Sequence, residues 1–235
     1  MTTLGIIKAD DVDVELRPRF GDTYGMFQRL FNLAKTDGLK LRSYDARELR
    51  YPDTLDECDG YLITGSRHCA FSNTPWIQQL LEFIRTLDRN RKKLIGICFG
   101  HQCIALALGG SVVKAPQGWG MGVHEYQVLI PGALSEVSRP TLRLRCSHED
   151  QVERLPSCAS HLLTSEFCEN AGMVIGEHFV SLQGHPEFSK DFTEHLIMDR
   201  VEDLGPNFTT TLESLNNDVD NMSVARSLVR FLERK

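Results

Sequence analysis

Along the first 110 residues, wholly apolar runs alternate with stretches whose apolar residues recur every three or four positions. "LGIIKA" (4–9) reads as a buried strand. Residues 21–37 place Phe27, Leu30, Phe31 and Ala34 at i, i+3, i+4 and i+7, the spacing of one helix face. "LKLRSYD" (39–45) alternates like a strand, and "DGYLITGS" (59–66) is a continuous apolar run ending in Gly-Ser. A second helix over 75–89 opens with Pro75 and puts Trp76, Leu80, Phe83, Ile84 and Leu87 on one face. "KKLIGIC" (92–98) is another buried run, followed by an apolar helix through "HQCIALALGG" that stops at a glycine pair. The order is β-α-β-β-α-β-α, with strands too apolar to face water on either side. It predicts an α/β fold: a mostly parallel sheet with helices on both faces.

From 111 to 182 the pattern changes to short strand-like pieces: "SVVKA", "HEYQVLI", "TLRLRCS" and "MVIGEHFVSL". Helical segments over 189–203 and 222–234 close the chain, and 204–218, "LGPNFTTTLESLNND", reads as a linker. A chain of 235 residues suits one domain, with a core over about 4–190 and a C-terminal helical extension over about 189–235.

Composition narrows the function classes. With 41% apolar and 25% charged residues the chain is an ordinary globular protein. A net charge of -6 offers no reason to propose nucleic acid or an anionic membrane as partner. No apolar run approaches the ~18 residues of a membrane span, and the first 20 residues lack the basic and apolar regions of a secretory signal. Seven cysteines, an odd number without C-x-x-C spacing, point to reduced thiols and a cytoplasmic location.

Candidate chemistry begins at "GICFGHQ" (96–102). Ligands of open α/β sheets bind at the carboxyl ends of strands, and Cys98 falls at such an end, on the turn into a helix. The G-x-C-x-G spacing is that of a nucleophile elbow with sulfur in place of oxygen. A turn this sharp strains the nucleophile's backbone, and Gly96 and Gly100 remove side chains that would collide. The N-terminal N–H groups of the helix point at the sulfur, where their field favours thiolate and where Phe99 N–H can hold an oxyanion. Taken alone, Cys98 reads as a buried core cysteine; the paired glycines favour the nucleophile.

A thiolate needs a base, and the base needs an orienting group. "VSLQGHPEF" (180–188) supplies both: His185 follows a short strand, and Glu187, beyond a rigid proline, can turn back to fix the imidazole tautomer. His148 and Asp150 are a second His–Asp pair, read as a hydrogen-bonded loop beside the pocket because His185 has Pro-Glu behind it. His101, on the elbow helix, reads as packing. No His, Cys, Asp or Glu set has metal-ligand spacing, so neither a metal nor another cofactor is expected.

"GICFGHQ" and "QGHPE" together resemble the nucleophile and G-H-P-E motifs of the class I (triad) glutamine amidotransferase family. "YLITGS" (61–66) is similar to that family's oxyanion strand and turn. "CSHEDQVERLP" (146–156) resembles a segment of the glutaminase domain of guanosine monophosphate synthetase. The resemblance covers most of residues 4–190. It implies a flavodoxin-like domain in which Cys98 forms a γ-glutamyl thioester, His185 is acid and base, and Glu187 holds His185. It also implies an oxyanion hole from backbone N–H groups at Gly65, Ser66 and Phe99. Gln102 matches a family glutamine that helps bind the amino-acid end of the substrate, and Trp119, in "GWGMG" (118–122), lies in another substrate-contacting stretch. "TGSRH" departs from the Gly-Gly-Pro turn of many members. Arg67 there reads either as a cation for a substrate carboxylate or as a solvated surface arginine.

Only about 45 residues follow the matching region, too few for an ATP-binding domain, and there is no P-loop. Three functions stay open: a hydrolase of γ-glutamyl amides or peptides, a glutaminase subunit feeding ammonia to a separate synthetase or transferase, and a non-catalytic binding module. The "TGSRHCAF" turn, similar to that of free-standing γ-glutamyl peptidases, favours the hydrolase, with a small molecule as substrate.

Overall fold

The apolar runs become strands and the periodic stretches become helices. The computed structural model describes residues 2–234. Its first half runs β1 (Thr2–Lys8), α1 (Arg17–Phe20), α2 (Thr23–Leu33), β2 (Leu39–Asp45), β3 (Gly60–Ile63), α3 (Pro75–Arg89), β4 (Lys93–Ile97) and α4 (Phe99–Ala107). The second half runs β5 (Ser111–Lys114), β6 (Gly120–Val128), β7 (Thr141–His148), β8 (Asp150–Arg154), β9 (Ala159–Thr164), β10 (Gly172–Ile175) and β11 (Phe179–Leu182). Then come α5 (Lys190–Met198), α6 (Val201–Leu204), α7 (Phe208–Ser214) and α8 (Asn221–Glu233).

Among the described residues nine strands form one sheet in the order β2-β1-β3-β4-β11-β10-β9-β6-β7, and β5 pairs with β8. The central strands β2, β1, β3, β4 and β11 are parallel, in the flavodoxin-like order. Side chains alternate between the two layers. Leu4 and Ile6 of β1, Leu62 of β3 and Ile95 of β4 pack with Phe27 and Leu30 of α2 and Leu228 of α8. Ile7, Ile63 and Leu94 face the other way, onto Leu80 and Ile84 of α3 and Ile104 of α4. The sheet is therefore helix-covered on both faces. Beyond β11 it continues antiparallel. "MVIGEHFVSL" folds back as the β10–β11 hairpin, turning at Gly176, whose φ of 52° suits a residue without a Cβ.

The chain steps from β1 outward to β2 and returns to β3 on the other edge of β1, so the order reverses between β1 and β3. A crevice opens at such a switch point, outside the carboxyl ends of the strands. Asp10, Gly65, Cys98 and His185 each follow closely on β1, β3, β4 and β11, which are adjacent in the sheet.

Residues 204–218, expected to be a linker, are largely helical. Phe208, Leu212 and Leu215 stand at i, i+4 and i+7 and pack with Met121 and Ile197, a helical period hidden among threonines and asparagines. Pro206 supplies a first-turn φ, and Ser214 Oγ accepts from Val123 N at 2.9 Å, fixing α7 to β6. The expected helix over 189–203 is broken at Asp199–Arg200 into α5 and α6.

Candidate active site

β4 ends at Ile97 and α4 begins at Phe99, so Cys98 alone makes the turn. Its φ of 50° and ψ of -100° are strained for a residue with a Cβ, at a cost of about 1–3 kcal/mol. A Cβ on Gly96 would stand 2.6 Å from Ile104 Cδ1 and 2.9 Å from the Gly100 carbonyl carbon; one on Gly100 would collide with Ile63 O. Both glycines are therefore required for β3, β4 and α4 to close around the elbow. Cys98 N donates to Leu182 O at 2.8 Å, which ties the elbow to the end of β11.

His185 lies three residues past β11. Its backbone N–H donates to Arg145 O at 2.8 Å, and the Arg145 guanidinium donates to Phe188 O at 3.0 Å. Arg145 thus clamps both ends of the His-Pro-Glu-Phe turn. His185 Nδ1 lies 2.8 Å from Glu187 Oε1. A carboxylate only accepts, so Nδ1 carries the proton and Nε2 is left for Cys98. Gly65 lies against the ring: a Cβ there would be 2.7 Å from His185 Cε1 and 3.7 Å from Cys98 Cβ. All three side chains are buried. Burial works against charge on the imidazole, but Glu187 and Cys98 outweigh it and raise the His185 pKa to about 10.

The turn at Gly65 and Ser66 is built from within. Ser66 Oγ accepts from His68 N at 3.1 Å. Buried Asp10 accepts from Arg67 N and Arg67 Nε, both at 3.0 Å, and from Arg47 at 2.8 Å. Burial alone would raise the Asp10 pKa; the Arg67 bonds reverse this and lower it. Arg67 lines the pocket, yet its Nη1 also holds both oxygens of Asp13 at 2.8 Å. Of the two sequence readings of Arg67, a cation for a substrate carboxylate or a surface arginine, the pairs to Asp10 and Asp13 favour a residue that shapes the loop.

A further part of the lining carries acceptors. Gln102 Nε2 donates to Asp150 O at 2.7 Å and to Gln183 Oε1 at 3.3 Å, and Gln183 Nε2 donates to Cys98 Sγ at 3.3 Å. His148 Nδ1 lies 3.2 Å from Asp150 O; a carbonyl only accepts, so Nε2 is the bare acceptor. That Nε2 and Asp150 Oδ1 are buried without a protein partner. Burial first, then the nearby histidines, push the His148 pKa down to about 3, so its ring stays neutral.

Trp119 lines the same pocket, with the Arg200 guanidinium 4.3 Å over its ring. Among the described residues Arg200 enters no ion pair; its Nη1 donates to Leu196 O at 3.4 Å. The pocket encloses about 310 Å³, the low end for small-ligand sites. His101 lies away from it, buried, bonded to Ser181 Oγ at 2.8 Å and Asn170 O at 2.9 Å. All seven cysteines are free thiols. Among the described residues no His, Cys, Asp and Glu group is gathered for a metal ion, and no helix is long and apolar enough to cross a membrane.

Asp10, Arg145, Gln183 and Arg200 were not singled out in the sequence. Gln183 alone carried a signal there, two positions before His185.

The fold and site define a flavodoxin-like α/β protein whose cysteine elbow faces a buried His–Glu pair. The chain belongs to the family described as glutamine amidotransferase class-I, whose pattern matches residues 31–203. It is 36% identical over 190 residues to gamma-glutamyl peptidase 3 of Arabidopsis thaliana, covering 76% of this chain and 75% of that one. It is 29% identical over 186 residues to one component of the glutamine-hydrolyzing GMP synthase of Methanosarcina barkeri, covering 74% of this chain and 89% of that one. A glutamine amidotransferase from Thermotoga maritima shares the fold with a TM-score of 0.77 at 23% identity, over 99% of this chain and 98% of that one.

Proposed function

We propose that this enzyme, a hydrolase of the amidotransferase-like kind, cleaves the γ-glutamyl amide bond of γ-glutamyl compounds through a thioester on Cys98. The observation that carries the reading is a strained cysteine elbow facing a buried His185–Glu187 pair. Similarity to gamma-glutamyl peptidases supports the substrate class.

In this reading Cys98 Sγ attacks the γ-carbonyl carbon, and the carbonyl π electrons move to oxygen. Backbone N–H groups at Gly65, Ser66 and Phe99 face that oxyanion. The C–N bond breaks as His185 Nε2 gives its proton to the leaving nitrogen. His185 then takes a proton from water, whose oxygen attacks the thioester; glutamate leaves and the thiolate is restored. Glu187 keeps the imidazole oriented and charged.

The amino-acid end meets the acceptor wall. His148 Nε2 and Asp150 Oδ1 are both unpartnered acceptors, and such a pair suits an α-ammonium. Arg200, over the Trp119 ring, supplies the cation for the α-carboxylate that Arg67 does not, and Gln102 holds the Asp150 backbone in place. Seven free thiols suit a reducing, cytoplasmic setting.

A second reading, a glutaminase serving a separate synthetase, draws on the similarity to the GMP synthase component. Glutamate release separates the two. Glutamine, γ-glutamyl dipeptides and γ-glutamylated amines are offered to the isolated chain, with glutamate as common readout. The hydrolase turns over at least one γ-glutamyl peptide better than glutamine. Strong preference for glutamine, with activity only after cell extract is added, supports the synthetase-coupled glutaminase instead.

A further inference from the structure

Beside the two large cores the chain builds a small third one. Val12, Phe20, Met26 and Phe192 are buried together, with Leu16, Phe188 and Leu196 packed against them. All but Phe20 also line the pocket that holds Cys98 and His185. This cluster is therefore one wall of the site as well as internal packing.

Its position relative to the chemistry is fixed by Phe188. The Phe188 ring stacks on the His185 imidazole, with centroids 3.8 Å apart and planes 8° from parallel. Arg145 and Asn221 hold the Phe188 carbonyl at 3.0 and 3.3 Å, so the stack is anchored from the backbone. Phe192 meets Phe188 edge-on at 4.9 Å. His185 is the group that hands a proton to the leaving nitrogen, so the apolar wall begins where the leaving amine departs. The unpartnered acceptors His148 Nε2 and Asp150 Oδ1 take the charged glutamyl end. An ammonia leaving group would gain nothing from six apolar side chains.

We propose that this chamber, formed by Val12, Leu16, Met26, Phe188, Phe192 and Leu196, selects γ-glutamyl substrates whose leaving amine carries an apolar group. The inference rests on the γ-glutamyl reading above and adds the class of leaving group. The reaction is hydrolysis: the γ-glutamyl C–N bond and one O–H bond of water break, and glutamate and the free apolar amine form. Hydrophobic pockets discriminate by about tenfold or more per methylene-sized difference, so an aromatic ring gives a readable preference.

The test compares γ-glutamylphenylalanine with γ-glutamylalanine, which share the glutamyl end and the leaving carboxylate. The expected kcat/KM ratio in the native chain is at least tenfold in favour of phenylalanine. Leu16→Gln and Leu196→Gln alter partly buried positions on the chamber wall, and each should bring the ratio toward one. The same ratio is read independently as Kd for the Cys98→Ala protein by calorimetry. A native ratio near one, or a ratio that survives both substitutions, overturns the chamber. If the native chain releases glutamate from neither compound nor from any other in the panel above, the proposed function fails, and the Kd ratio still decides whether the chamber selects apolar groups.

Discussion

Cys98 occupies a backbone conformation that its glycine flanks permit and that Leu182 O holds from the neighbouring strand. Cys98→Ser is nearly isosteric and keeps the elbow, but replaces the proposed sulfur nucleophile with a poor one. Hydrolysis should be abolished while the thermal midpoint stays within a few degrees of native; near-native turnover would refute the mechanism. His185 gives a pH signature. With its pKa raised to about 10, the imidazolium persists through neutrality, and the alkaline limb of kcat/KM should lie near pH 10. Glu187→Gln removes a charge that supports this pKa, so the limb should move to lower pH and turnover should fall. A raised pKa also fixes the sign of its stability contribution: present in full below the ordinary value of 6.5, lost as pH rises through about 10. The two pocket arginines should separate in initial-rate measurements. If Arg200 holds the glutamyl carboxylate as proposed, Arg200→Gln should raise KM more than it lowers kcat, because such a cation acts in ground and transition states alike. Arg67→Ala should lower kcat and stability, since its partners are Asp10 and Asp13 rather than substrate.

Elements position these residues, and some announced themselves better than others. The helix at 75–89 and the strand at 39–45 were legible to the residue because periodicity and a first-turn proline agree with tertiary packing. The α7 period was obscured by helix-neutral threonines, and its apolar face made sense only once β6 offered Met121 as a partner. The elbow was legible for a steric reason. Gly100 cannot carry a Cβ against Ile63 O, so a glycine two residues past Cys98 is dictated by the β3–α4 approach. Gly100→Ala should destabilise the chain by about 1–3 kcal/mol, as overpacking does, and depress kcat by moving Cys98. Chemical denaturation checks the first effect; unchanged stability would mean that α4 and β3 approach less closely than described.

Across the whole molecule, the site is assembled from the ends of four adjacent parallel strands, which explains what the sequence could and could not reveal. Cys98, His185 and Glu187 carry local motifs. Asp10 acts on Arg67 from 57 residues away, and Gln183 reaches Cys98 across 85, so their roles exist only once β1, β3, β4 and β11 are side by side. The antiparallel half of the sheet was read only as short strand-like pieces, because its pairing follows from contacts rather than from pattern. Helix α8 packs in the same cluster as β1, so the two chain ends meet in one core. Leu228→Ala, at a fully buried site, should cost about 2–5 kcal/mol and shift a single unfolding transition. Two transitions, only one of them shifted, would mean that the C-terminal helices fold apart from the rest. The central claim is a covalent γ-glutamyl enzyme on Cys98, and intact-protein and peptide mass spectrometry of acid-quenched turnover tests it most directly. One γ-glutamyl group is expected on the peptide bearing Cys98, and none in Cys98→Ser; full turnover with no adduct there, or with the adduct on another residue, would refute the covalent enzyme.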